Sequence, residues 1–260
     1  MESFSFSIPQ NIRFGKGSLK FLPEMAGRLQ KKRALIISGP YLNKIGMVKQ
    51  CRDALYAAGI DSAAFTETEG NPGTRTVEKA AKTYKDAKAD FIVAFGGGSP
   101  LDVAKAAAIL IAYGGCITEY EGADKVPGPV VPIIAVPTTA GTGSEVTSFA
   151  VITDHSRNYK LTVSSNYLLP AYAILDPELI CSVPENTAAA CGVDALVHAL
   201  EAYLSLAASP FSDMFAMQAL RMIGKNLRAY VANRKNDAAA EAMLAGSLFA
   251  GLAFSHARLG

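Results

Sequence analysis

The stretch FIVAFGGGSPLD at residues 91–102 runs from an apolar segment rich in Ile and Val directly into a glycine-rich turn. A short apolar run closed by glycine is typical of a strand buried in a parallel sheet. RALIIS at 33–38 and VPIIAV at 131–136 predict two more strands of this kind. Segments with helical spacing of apolar residues alternate with them, at 45–58, 74–88 and 100–113. This alternation predicts a doubly wound α/β fold.

The glycine loop (residues 96–99) lies where the predicted strand at 91–95 meets the following helix. Glycines let backbone approach a ligand closely, and the free amides at a helix start attract phosphate. Ser99 is predicted to cap the helix, with Pro100 at its first position and Asp102 completing a variant capping box. Leu101 stands where G-x-G-x-x-G requires its third glycine. The loop by itself is therefore compatible with a phosphate site and with a plain structural turn.

The threonine loop, PTTAGTGSE at residues 137–145, follows the next predicted strand and concentrates hydroxyl groups and glycines. Such a sequence also makes ordinary turns. In open α/β sheets, however, ligands bind outside the carboxyl ends of the strands, and both loops fall at that edge if the strands are correct. Two such loops at one edge favour a nucleotide.

The character of the sequence changes after Asp176-Pro177. From about residue 184 to residue 258, Ala, Leu, Met and Glu recur at helical spacing. Pro184 and the Ser209-Pro210 pair offer helix starts. We therefore expect an α/β domain at 1–184, followed by the first part of an all-α domain at 185–260.

One segment of the predicted helical domain, GVDALVHALEAYLS at 192–205, is apolar apart from a narrow polar stripe. Asp194 and His198 are one helical turn apart and can present a carboxylate oxygen and an imidazole nitrogen to one cation. Glu201 lies nearly two turns from Asp194, too far to share that ion readily. The alternative is that the polar stripe is a solvated helix face. We expect so apolar a helix to be mostly buried, which argues against this alternative. His256 is either a third ligand or a capping or surface residue.

The composition excludes several classes of protein. Twenty-five Lys and Arg against 23 Asp and Glu leave a formal charge of +2, too small to favour nucleic acid or an anionic membrane as partner. No uncharged apolar stretch of spanning length is evident, and MESFSFSIPQ does not resemble a secretory signal. The four cysteines form no CxxC pair. A cytoplasmic enzyme is the expectation.

Three motifs occur together in order: GGGSPLDVAKA at 96–106, PTTAGTGSEVT at 137–147 and GVDALVHALEAYLS at 192–205. With them the chain resembles the iron-containing (group III) alcohol dehydrogenases throughout its length. The resemblance implies a Rossmann-like dinucleotide-binding domain and a helical domain. It implies NAD or NADP in the cleft between them and a divalent metal, Fe²⁺ or alternatively Zn²⁺, on the helical side. It also implies reversible hydride transfer between a small primary alcohol or aldehyde and the nicotinamide. Dimers are common in the family, so a homodimer or larger homo-oligomer is possible.

Residue by residue, the resemblance implies metal ligation by Asp194 and His198, through which both take part in catalysis. The cofactor contacts that it implies are Gly39, Asn71, Gly96, Gly97, Gly98, Ser99, Asp102, Thr138, Thr139, Thr142, Val151, Lys160 and Leu179. Gly39 departs from the Asp that many NAD-preferring members carry, and with no carboxylate to repel a 2′-phosphate we expect NADP to be tolerated.

A second departure is that the family's last two metal-ligand histidines lie downstream of the segment that matches AFSHARLG. We therefore expect a truncated enzyme, weak or inactive by itself. Two alternatives stay open: a zinc- and NAD-dependent relative of the glycerol dehydrogenase or dehydroquinate synthase type, and a truncated nucleotide-binding module without catalysis.

Overall fold

The computed structural model describes residues 6–8 and 10–259. Its centre is a six-stranded parallel sheet in the order β1-β9-β6-β4-β2-β3, beside which β5, β8 and β7 form a small second sheet. The strands are β1 (Asn11–Phe14), β2 (Arg33–Ile37), β3 (Asp61–Phe65), β4 (Phe91–Gly96), β5 (Gly122–Ala123), β6 (Ile133–Pro137), β7 (Phe149–Asp154), β8 (Tyr159–Ser164) and β9 (Tyr172–Leu175).

The three predicted strands are confirmed as β2, β4 and β6, which lie at the middle of the large sheet. Every residue of β4 and β6 is buried, because helices cover both faces of the sheet. Short strands outside the predicted set were missed, since β1 is mostly exposed and β3 is only partly buried, so neither carries an apolar run. The hairpin of β7 and β8 was also missed.

Eight α-helices complete the described part of the chain, five beside the strands and three after them. They are α1 (Leu22–Arg28), α2 (Pro40–Lys44), α3 (Met47–Ala57), α4 (Thr74–Asp86), α5 (Gly98–Tyr113), α6 (Glu185–Leu204), α7 (Pro210–Ala232) and α8 (Asp237–Ala257). The helices predicted at 45–58, 74–88 and 100–113 correspond to α3, α4 and α5. The predicted fold class is confirmed; the exact division into two domains at residue 184 stays a prediction.

The predicted start of α5 is wrong in detail. The helix begins at Gly98 with Gly97 as its N-cap, and no side chain caps it. Ser99 lies inside the first turn, and the Asp102 carboxylate accepts hydrogen bonds from Ser144 and Val151. The Asp102 carboxylate, which the local pattern assigned to a capping box, therefore forms long-range hydrogen bonds instead. By contrast, Ser209 caps α7 as predicted, in a reciprocal box with Ser212.

The three C-terminal helices pack on one another and against the β9 side of the sheet. Of the described helices, α8 is long and apolar enough to cross a membrane, which the sequence interpretation overlooked. Within this fold 72% of its most apolar window is buried. A core helix of a globular protein has the same composition, so α8 by itself is weak evidence for a membrane span.

Candidate functional site

The glycine loop and the threonine loop touch at the carboxyl edge of the sheet. Their strands β4 and β6 are neighbours, and the Thr138 amide donates to the Gly96 carbonyl at 2.9 Å. A Cβ built on Gly98 would lie 2.7 Å from Thr142 Cγ2, so this position has no room for a side chain unless Thr142 moves. The expectation that both loops lie at one edge is confirmed.

Two cavities open on either side of the glycine loop. The α6 cavity, of about 380 Å³, lies between the loop and helix α6. The predicted site residues that line it are Asn71, Gly98, Ser99, Asp102, Thr142, Val151, Lys160, Asp194 and His198. The Gly39 cavity, of about 430 Å³, lies at the ends of β2 and β3. The predicted site residues that line it are Gly39, Gly97, Ser99, Thr138 and Thr139.

Ser99 lines both cavities, so they meet at the glycine loop. Two predicted cofactor residues line neither of them. Gly96 ends β4 below the loop with φ +155°, and a Cβ there would lie 2.6 Å from Pro100 Cγ. Leu179 is buried in a 3-10 turn and faces a separate cavity beside Lys20. A cofactor contact of Leu179 stays a prediction.

Asp194 and His198 share one face of α6 at the wall of the α6 cavity. His198 Nε2 lies 3.6 Å from Asp194 Oδ1, and the His198 side chain is 17% exposed. His198 Nδ1 is buried with no hydrogen-bond partner, and the ring packs on Phe254 at 4.7 Å between centroids. Ligand bonds to Zn²⁺ or similar ions are about 2.0–2.2 Å, so donors at this separation can both contact one ion. The pair fits as two ligands of a metal.

No third ligand joins them in the described part of the chain, where no group of three or more His, Cys, Asp or Glu residues could hold a metal. His256 is not placed to act as a third metal ligand. Its Nδ1 lies 2.9 Å from the Leu252 carbonyl oxygen and its Nε2 lies 3.0 Å from the Ser7 carbonyl oxygen, while the ring packs on Phe6. Of the two interpretations of His256, these contacts exclude the third ligand in this arrangement.

A buried polar network behind the α6 cavity was missed by the sequence interpretation. Lys105 is fully buried, and its ammonium group bonds to Ser144, Thr147 and the Phe149 carbonyl. Glu145, 2% exposed, lies nearby. The available signal was a charged residue inside the otherwise apolar run VAKAAAIL, because a lysine in a buried helix needs partners.

Burial controls the ionisation of this network. It lowers the pKa of Lys105 to about 8, an effect that the nearby charges of Asp102 and Glu145 oppose. It raises the pKa of Glu145 to about 7 and raises that of Asp102, with Lys105 opposing both shifts. The cavity wall is thus backed by a compact cluster of ionisable groups whose charged forms are disfavoured by burial and favoured by one another.

Helix α6 is less buried than its apolar sequence led us to expect. Its side chains Val193, Val197, Leu200 and Leu204, which recur at helical spacing, are 42–69% exposed. The expectation of a mostly buried helix is wrong here, because the fully buried residues of α6 are small ones such as Ala195 and Ala199. A contiguous apolar surface of this kind is typical of a contact with another polypeptide.

Comparison with known families settles the class of protein. Residues 9–177 match the family described as "Iron-containing alcohol dehydrogenase", and residues 188–260 match "Fe-containing alcohol dehydrogenase family, C-terminal". This chain belongs to the iron-containing alcohol dehydrogenase family. The resemblance inferred from the three motifs is confirmed.

Individual relatives of this alcohol dehydrogenase family agree. An NAD-dependent methanol dehydrogenase of Bacillus methanolicus is 39% identical over 98% of this chain and 67% of its own length. A solved 1,3-propanediol oxidoreductase is 39% identical with a TM-score of 0.96, covering 100% of this chain and 68% of that one. A sulfoacetaldehyde reductase from Bifidobacterium kashiwanohense, solved with NAD⁺, is 35% identical with a TM-score of 0.95, covering 100% and 69%. The chain spans about two thirds of the length of such relatives.

Proposed function

We propose that the chain binds a nicotinamide dinucleotide along the carboxyl edge of the sheet. The pyrophosphate would lie on the glycine loop, the adenosine half in the Gly39 cavity and the nicotinamide half in the α6 cavity. The observation that carries this proposal is that Ser99 lines both cavities, with the amides of the α5 start between them. The NAD dependence named for the methanol dehydrogenase relative supports it.

Asp194 and His198 are the residues that would hold a divalent metal in this enzyme, with Fe²⁺ favoured by the family and Zn²⁺ the alternative. When bound, the metal supplies a positive charge that stabilises developing charge on an alcohol or aldehyde oxygen. The chain's own residues set the place of reaction, because the glycine loop and His198 line the same cavity. Phe254 and Phe149 contribute apolar wall there and help to exclude water.

The reaction that this arrangement supports is reversible hydride transfer between a small primary alcohol or aldehyde and the nicotinamide. Relatives of the chain include a methanol dehydrogenase, a 1,3-propanediol dehydrogenase and a sulfoacetaldehyde reductase. The compounds in these names differ in charge and size, so they support a substrate proposal only at the level of a class, a small alcohol or aldehyde. For the 260 residues alone we propose nucleotide binding with weak or no turnover, because the described residues offer only two metal donors.

Both NAD and NADP are proposed as ligands, since the end of β2 carries Gly39 in place of a carboxylate. Glu69 is the one acidic residue among those lining the Gly39 cavity, and its Oε1 already accepts bonds from the Thr76 hydroxyl and the Gly73 amide.

Fluorescence titration with NADH tests the proposed site. We expect saturable binding that falls about tenfold in Gly98→Ala, because the added Cβ would meet Thr142. The matched control is Gly224→Ala on α7, where a Cβ meets nothing within 4 Å. Absence of NADH binding by the unaltered chain, or equal binding by Gly98→Ala, would reject the assignment.

A further inference from the structure

Lys105 is an ammonium group placed behind the wall of the α6 cavity. It lies on α5, is 0% exposed and does not itself line the cavity. Its Nζ donates to Ser144 Oγ at 3.0 Å, to the carbonyl and hydroxyl oxygens of Thr147 at 2.8 and 3.0 Å, and to the Phe149 carbonyl at 2.9 Å. Four acceptors thus surround an ammonium group that has three N–H donors. These hydrogen bonds offset the free-energy cost of burying its charge.

Each residue that accepts from Lys105 lines the α6 cavity. Ser144, Thr147 and Phe149 form one continuous side of it. They belong to the segment that leads from the threonine loop into β7, in which Ser144–Val146 form a short 3-10 turn and Phe149 is the first residue of β7. The bonds to Lys105 tie this segment to α5, in addition to its own turn hydrogen bonds and the pairing of Phe149 with β8.

A second link extends from the same hydroxyl to the cavity surface. Ser144 Oγ accepts from Lys105 and donates to Asp102 Oδ1 at 2.7 Å, while the Val151 amide donates to Asp102 Oδ2 at 3.2 Å. With both neighbours fixed, the Ser144 hydroxyl has one orientation, and the Asp102 carboxylate is held at the cavity wall. The order Lys105, Ser144, Asp102 is therefore a directed chain of hydrogen bonds that ends at the cavity.

We propose that Lys105 is a positioning residue for the nicotinamide half of the dinucleotide. It touches no ligand; it fixes Asp102 and the segment 144–149, against which the nicotinamide would lie. The inference rests on the proposed function, which assigns the nicotinamide to the α6 cavity. None of the residues bonded to Lys105 lines the Gly39 cavity, so the adenosine half is bound independently of it.

The test separates the two halves of the cofactor. ADP-ribose contains the adenosine and pyrophosphate but lacks the nicotinamide, and NADH reports the environment of its nicotinamide by fluorescence. Lys105→Met keeps the length of the side chain and removes the ammonium group. We expect its Kd for NADH to rise about tenfold or more, with the emission of bound NADH approaching that of free NADH, while its Kd for ADP-ribose stays within about twofold.

Two further variants keep the test decisive. Lys85→Met removes an exposed lysine from the neighbouring helix α4, where Nζ donates to the Leu110 carbonyl, and should change neither Kd. Ser144→Ala cuts the link to Asp102 but leaves the Lys105 bonds to Thr147 and Phe149. It should shift NADH binding in the same direction and decides the question if Lys105→Met does not fold.

The outcomes are distinguishable. Unchanged NADH affinity and emission in the variants would overturn the role of Lys105 while the proposed function stands. Parallel losses of NADH and ADP-ribose would also overturn it, because they indicate general damage to the fold. Failure of the unaltered chain to bind either molecule would overturn the proposed function and this inference together.

Discussion

His198 Nε2 lies 3.6 Å from Asp194 Oδ1, one helical turn along α6, while His198 Nδ1 is buried without a partner. The pair is therefore arranged as two donors facing the α6 cavity. We expect any divalent ion bound by this pair to be held weakly, since two ligands leave most of the coordination of an ion to solvent.

Replacement of the carboxylate should remove that site. Asp194→Asn is expected to weaken binding of Co²⁺, used as a spectroscopic substitute for iron, by about tenfold or more because the anionic ligand is lost. The control is Glu201→Gln, on the same stripe but nearly two turns from Asp194. Absorbance titration measures both, and equal loss in the two variants would show that the stripe binds ions only by its general charge.

Restoring a carboxylate at the end of β2 should reduce NADP binding. Gly39 has φ −102° and ψ 163°, a conformation open to other residues, although a Cβ there would lie 3.2 Å from the Thr68 carbonyl oxygen. In Gly39→Asp the affinity for NADP relative to NAD is expected to fall about tenfold or more by charge repulsion. Gly39→Asn, of the same shape without the charge, should keep the ratio of the unaltered chain. A strong preference of that chain for NAD in calorimetric titration would contradict the proposal.

Glu145 should make stability depend on pH. Burial raises its pKa to about 7 from the ordinary 4.5. As pH rises from about 4.5 to about 7, the unfolded chain ionises first while the folded state keeps its proton, so the free energy of unfolding falls over that window.

Glu145→Gln should remove this dependence. We expect urea unfolding to show a flatter pH profile and a gain on the order of 1–3 kcal/mol above pH 7. Glu67→Gln is the control, since Glu67 forms an exposed ion pair with Lys79. A profile unchanged by Glu145→Gln would mean that Glu145 does not titrate in this range.

The exposed apolar face of α6 should cause self-association. Leu200→Lys places a charge in the middle of that face and is expected to shift sedimentation at micromolar concentration towards the monomer. Gln218→Lys adds the same charge to an exposed position of α7. If both variants sediment like the unaltered chain, the face does not mediate association.

Local patterns were sufficient for the central strands and for the two ligand loops. The runs at 33–38, 91–95 and 131–136 are apolar because both faces of a parallel sheet are covered, so consecutive residues of a buried strand are all apolar. The glycines at 96–98 were equally readable, since the turn from β4 into α5 and its contact with Thr142 exclude side chains. The step from Asp194 to His198 follows from helix geometry alone.

Contacts between distant segments could not be predicted from the sequence patterns. Asp102 looked like part of a capping box because the pattern was local, yet its carboxylate bonds to Ser144, 42 positions later. The sequence patterns assigned no role to Lys105, and its partners lie 39–44 residues away. Hydrogen bonds of a buried charge depend on which segments the fold brings together, and no spacing rule encodes them.

The chain's order of residues thus settled the elements, the loops and the chemical types at the site, because each depends on neighbours within a few positions. The fold decided which of them meet. It placed Ser99 between two cavities, turned His256 away to the Leu252 and Ser7 carbonyls, and buried Lys105 behind the wall. These outcomes follow from the packing of α5, the 144–149 segment and the C-terminal helices, because a buried polar group requires hydrogen-bond partners that only the packed segments supply.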